Sequence, residues 1–173
     1  MNGDELRTVQ APLKQRYREA AAAARVTARA EARLVDDEVS CRVTTTAGEV
    51  VAGLHPATGG DGTEACSADM LLEALVACAG VTARAVATAS GISLGGRISA
   101  EGVWDARGTL GLDRAAPVGL TDVVMTFDLT SDAPSEKLAK LVATVERYCV
   151  ILQTLRNPPR IEVRSAAAKA LSQ

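Results

Sequence analysis

LLEALVACAGVTARAVA, residues Leu71 to Ala87, decides how the rest of the chain is read. Between Met70 and Val86 only Glu73, Thr82 and Arg84 are polar. Ser67 before the run is a suitable N-cap, and Gly91 after it suits the left-handed residue that ends a helix, so the spacing predicts about 23 residues of helix. An apolar surface that runs nearly all the way round must be covered on more than one side. The run therefore predicts the central helix of a core or a helix at a subunit interface. Cys78 sits in its middle, with the small Ala74 and Thr82 one turn away on either side, leaving room for a substrate or a second thiol.

Outward from this helix the chain alternates between two periods. Upstream, PLKQRYREAAAAAR is rich in helix formers and predicts a polar N-terminal helix, taken as an extension over residues 1–25 ahead of a single domain at 26–173. VTARAEARL has strand alternation and predicts a strand from about Val26. VSCRVTTTAGEVVAGL predicts a hairpin with Ala47 and Gly48 at its turn and Val39, Cys41 and Val43 on one face. HPATGGDGTEAC fits neither period and is expected to be a loop.

Downstream, GGRISAEGVWDARG and VGLTDVVMTFDLT predict a second pair of strands, the latter with Val123, Met125, Phe127 and Leu129 on one face. Leu138, Leu141, Val142 and Val145 fall at helical intervals after Pro134 and Ser135. From Cys149 to Leu152 that pattern turns continuously apolar, so the helix bends there or enters the core. RNPPRIEVRS is expected to supply a last strand. Strands, long helix, strands, helix and strand make an α+β order.

Composition narrows the function. A chain of 173 residues fits one domain or one protomer of a compact oligomer. A net charge of −2 and only four aromatic residues argue against a nucleic-acid partner. The N-terminal basic residues are interspersed with acidic ones, as on a solvated face. MNGDELRTVQAPLKQR has no apolar signal region and no stretch reaches 18 uninterrupted apolar residues, so the expectation is a cytoplasmic protein with no membrane partner and reduced cysteines.

The loop GGDG lacks the Gly-Lys-Ser/Thr ending of a phosphate cradle and reads as a flexible turn. The four cysteines, at 41, 66, 78 and 149, form no Cys-x-x-Cys pair, and His55 is the only histidine, so no metal and no cofactor are expected. His55 reads as a loop residue and Cys41 as a small core hydrophobe. Taken alone, a cysteine among apolar side chains is more often structural, because burial raises its pKa.

DMLLEALVACAGVTARAVA, followed about seventy residues later by ERYCVILQTL, resembles the OsmC/Ohr family of thiol-dependent hydroperoxide reductases, in a divergent branch. The preceding strands and the GGDG loop agree with that resemblance, which covers most of the chain from about Val26. It implies antiparallel sheets packed around a long buried central helix in an intertwined homodimer with active sites at the subunit interface. It also implies that Cys78 is the peroxidatic cysteine and Cys149 the resolving one, with organic hydroperoxides as substrates and a dithiol as reductant. Family members carry a Glu ten residues before the first cysteine, paired with an activating Arg; here that position is Ala68. The Pro that usually follows the second cysteine is Val150. Arg33 matches the activating Arg best, with Arg29 and Arg42 as alternatives. A non-catalytic dimeric module, sensing redox state or binding an apolar ligand, is the other reading.

Overall fold

The structure, a computed structural model, describes residues 1–165. Helix α1 (Gly3–Glu19) starts well before the predicted segment, because Asn2 and Glu5 form a reciprocal capping box. It continues through Pro12 and ends at Ala20, after which Ala21–Ala24 make one 3₁₀ turn. The guanidinium of Arg7 donates to the carbonyl oxygen of Ala89 at 3.5 Å and ties α1 to the end of the central helix.

Four strands form the first sheet, in the order β1 (Glu31–Leu34), β2 (Ser40–Thr45), β3 (Gly48–Gly53), β4 (Ala65–Cys66). The strand expected from Val26 begins only at Glu31; alternating alanines and arginines gave residues 26–30 a strand pattern without the side chains to hold one in place. The β2–β3 hairpin turns at Thr46 and Ala47, one residue earlier than expected, with Thr45 paired to Gly48. Gly48 takes φ +132°, a conformation that favours glycine. Strand β4 lies in the segment read as loop and pairs parallel with β3 through two residues, Ala52 to Ala65 and Gly53 to Cys66.

Helix α2 (Ser67–Ala89) has the predicted 23 residues, although Cys66, not Ser67, is its N-cap. Gly91 follows at φ 64° as the left-handed stop. Strands β5 (Gly95–Val103) and β6 (Asp122–Thr130) pair antiparallel along nine residues. Met125, Phe127 and Leu129 face inward as the alternation requires, while Val123 stays more open. Between these strands a short helix, α3 (Ala106–Thr109), is capped by Asp105. Helix α4 (Ser135–Tyr148) stops at Cys149, whose ψ of 108° breaks the run, and α5 (Val150–Arg156) starts afresh. Residues 157–165 form no strand and are exposed. IEVRS carries strand alternation, but among the described residues it pairs with none of the sheet edges.

The core sits where α2, α4 and α5 meet the β5–β6 sheet. Leu75, Ala79, Ala83 and Ala87, spaced by four, make the buried stripe of α2. Three alanines in that stripe let Leu141, Val145 and Cys149 approach closely, and all three are buried. The other side of α2 has no cover: Val81 is 72% exposed, and Ala74 and Ala77 are exposed with it. Among the described helices α2 alone has the length and apolarity of a membrane span, but its packed stripe gives it the place of a core helix.

Candidate functional site

Two cysteines far apart in sequence meet where α2 crosses the α4–α5 break. Cys78 lies one position from the buried stripe of α2 and is half-buried; Cys149 is fully buried at the break. Both belong to the same core cluster, and both are free thiols. The break puts the first turn of α5 against α2, and a first helical turn has N–H groups with no carbonyl partner inside the helix.

The two thiols are pushed in opposite directions. Burial pushes the Cys78 thiol up, but the N–H of Ile151, the thiol of Cys149, the N–H of Val150 and the hydroxyl of Thr82 together outweigh it and hold Cys78 below the ordinary thiol range. Burial is also the largest influence on Cys149, and it prevails there. The N–H groups of Leu152 and Ile151 favour its anion, yet the neighbouring Cys78 thiolate opposes a second negative charge, and Cys149 is held above the ordinary range. The pair therefore loses its first proton mainly from the more accessible sulfur. Thr82 donates to the carbonyl oxygen of Cys78 at 2.7 Å.

No cation stands among the groups acting on Cys78. Arg33 lies exposed on β1, 3.7 Å from Glu31. Arg42, opposite it on β2, donates to Glu49 at 2.9 Å, and that partner raises its pKa. Arg29 is exposed ahead of β1. Ala68 is in the first turn of α2 and lines an open cavity of about 400 Å³ together with His55, Cys66 and Trp104. There His55 accepts an N–H from Ala57 on Nδ1 at 3.0 Å and meets Trp104 edge-on at 5.4 Å. Cys41 lies opposite Ala52, separated from β4 by β3.

A second, larger cavity of about 710 Å³ opens one turn from both thiols. Leu75 on α2 and Leu152 on α5 line it, with Phe127 and Met125 of β6 and the Glu146–Arg156 ion pair at 2.8 Å. Among the described residues no cluster of His, Cys, Asp or Glu has the arrangement of a metal site. The sequence brought Cys78 and Cys149 forward as a pair and the structure joins them. It did not bring forward the amides of Val150 and Ile151, whose only signal was the loss of helical period at Cys149.

The family model described as OsmC-like protein matches residues 60–164. No curated protein sequence matches the chain. Among solved structures, the OsmC-like protein from Mycoplasma pneumoniae is similar at 19% identity and a TM-score of 0.64, over 77% of this chain and 89% of that one. An organic hydroperoxide resistance protein OsmC from Legionella pneumophila is similar at 21% identity and a TM-score of 0.57, over 78% and 92%. The organic hydroperoxide resistance protein OhrB of Bacillus subtilis follows at 17% identity and 0.51, over 77% and 93%.

Proposed function

The chain belongs to the OsmC-like protein family, and on that premise we propose that it is a thiol-dependent peroxidase that reduces organic hydroperoxides. One observation carries the reading: two adjacent free thiols, the more open one biased towards its anion and the enclosed one biased against it. A thiolate is the nucleophile and a protonated neighbour is a ready partner for what it becomes.

The Cys78 thiolate attacks the distal oxygen of the hydroperoxide. The O–O bond breaks, Cys78 becomes a sulfenic acid, and the alkoxide leaves to take a proton as the alcohol. The Cys149 thiol then condenses with the sulfenic acid, forming an S–S bond and releasing water. A dithiol reductant restores both thiols by two exchange steps and leaves oxidised. The cavity one turn from the pair, where Leu, Val, Met and Phe side chains meet the Glu146–Arg156 ion pair, and the hydroperoxide resistance named for two structural relatives support an organic substrate.

The working unit in this reading is an intertwined homodimer. Its support is the bare side of α2, the exposed β1 and the unpaired alternation of residues 157–165, all apolar or strand-forming surface that a second copy would cover. Arg33 takes the activating role only if assembly brings β1 of one copy over α2 of the other.

Mixing reduced protein with cumene hydroperoxide and counting free thiols tests the reaction. Two thiols should disappear per peroxide consumed; unchanged thiols in excess oxidant would end the proposal. Cys78→Ser should abolish turnover, and Cys149→Ser should leave a sulfenic acid that dimedone traps. The other reading, a redox-sensing or apolar-ligand module without turnover, draws on the lack of a cation beside Cys78. It requires that the oxidised pair form once and not cycle when a dithiol such as dithiothreitol is supplied.

A further inference from the structure

Gly80 stands in the middle of α2, and nothing packed around it in this chain asks for a glycine. A Cβ built on it would meet no atom within 4 Å. Glycine is a poor residue for a helix interior, so one with open space above it marks a place where something outside the chain comes close. Gly80 lies in a groove of about 370 Å³ between α2 and the start of β5, with Gly96 and Arg97 on the strand side. Along α2 the groove is lined by Glu73, Ala77, Gly80 and Arg84, so its two ends on the helix carry opposite charges.

The steps between these four residues are 4, 3 and 4, which read the same from either end. Glu73 and Arg84 are three turns apart to within about 20°, on one side of the helix. Both are exposed. Among the described residues neither has an ion-pair partner, whereas Arg97 across the groove is held 3.6 Å from Asp128.

We propose that α2 packs antiparallel on α2 of a second copy, about a two-fold axis near Cys78 and Ala79, so that Glu73 of each copy pairs with Arg84 of the other. The pairing presupposes the homodimer above and names the contact on which it closes. A two-fold contact sets residue i on residue j and residue j on residue i. With the axis midway between Cys78 and Ala79, Glu73 falls opposite the partner's Arg84 and Ala77 opposite the partner's Gly80, each contact made twice. The two small residues let the backbones approach. Parallel packing in register would set glutamate on glutamate and arginine on arginine, so the charges select the direction. The same approach covers Val81, one turn beyond Ala77 and 72% exposed.

Sedimentation across a wide range of protein concentration reads the pairing, with far-UV circular dichroism to follow the fold. Glu73→Arg leaves only positive charges at the two positions, and Arg84→Glu only negative ones. Either variant alone should associate roughly tenfold or more weakly than the wild type, because like charges then meet twice. Mixed in equal amounts, the two variants should recover association, since every like pair becomes an opposite one. The double variant Glu73→Arg/Arg84→Glu should recover it by itself. Gly80→Leu, whose side chain enters open space in the single copy, should weaken association and leave the helical signal unchanged.

Single variants that associate as well as the wild type would overturn the proposal and leave the homodimer to close on another face. So would a mixture that stays as weak as its components, or a Gly80→Leu protein that still associates fully. Recovery in the mixture cannot come from misfolded protein, because each component supplies half of the restored pairs. A wild type that remains a single copy at every concentration would sink the homodimer and this contact with it.

Discussion

The two sheets of this protein are built from equally strand-like sequence and end in opposite circumstances. β5 and β6 pack their inward residues against α2, where Ile98, Ala100, Met125, Phe127 and Leu129 join the core. β1 shows four exposed residues out of four, with Leu34 87% exposed, and β2 buries none of its side chains fully. Helix α2 is divided the same way: the Leu75 to Ala87 stripe is packed by its own chain, and the side carrying Ala74, Ala77 and Val81 is bare. A single chain thus finishes half of its apolar surface, and Cys78 lies at the boundary between the halves.

The largest contrast comes from deleting one leucine on the finished side. Leu75 is fully buried, and Leu75→Ala leaves a cavity in contact with α4 and α5, costing about 2–5 kcal/mol in urea unfolding. A cost below about 1 kcal/mol would mean that the described core is not the one that holds the protein together. On the bare side, Val81→Glu puts a charge on the α2 face assigned to a second copy. The folded chain tolerates it, since Val81 is already 72% exposed. Self-association, followed by sedimentation, should weaken by about a hundredfold or more, because a charge enclosed without a partner costs several kcal/mol. Undiminished association would remove this face from the interface.

The boundary itself is sharpened by comparing the two thiols. With Cys78 held low and Cys149 held high, maleimide labelling at neutral pH should modify Cys78 at least about tenfold faster. The sign follows from the anion: lowering the pH through the Cys78 midpoint removes the thiolate and slows its labelling, whereas Cys149 gains reactivity only above the ordinary thiol range. Labelling of both at one rate would show that the pair is not polarised.

Much of this was legible in the letters. The extent of α2, its Gly91 stop, the inward set Met125, Phe127 and Leu129 and the helix interruption at Cys149 all follow from period and punctuation, which are local. β4 was not legible, because two residues paired to β3 inside a glycine-rich segment have no period to read. The strand expected from RIEVRS failed for the converse reason: its alternation is present, but among the described residues it pairs with no strand. In the site, the cysteine pair could be read because thiols are side chains. The influence of the Val150 and Ile151 amides on Cys78 could not, because every residue but proline has the same amide.

The smallest expected effect tests whether the unfinished sheet stays unfinished. Leu34 ends β1, pairs with Cys41 and buries almost nothing, so Leu34→Ala at high dilution should change stability by no more than about 0.5 kcal/mol. If the sheet of one copy covers α2 of another, the same substitution acquires a cost that grows with protein concentration, since the leucine then leaves water only on assembly. Unfolding followed across a wide concentration range separates the cases. A cost that rises with concentration puts β1, and Arg33 upon it, at the interface. A small cost that stays flat removes β1, and Arg33 with it, from the interface.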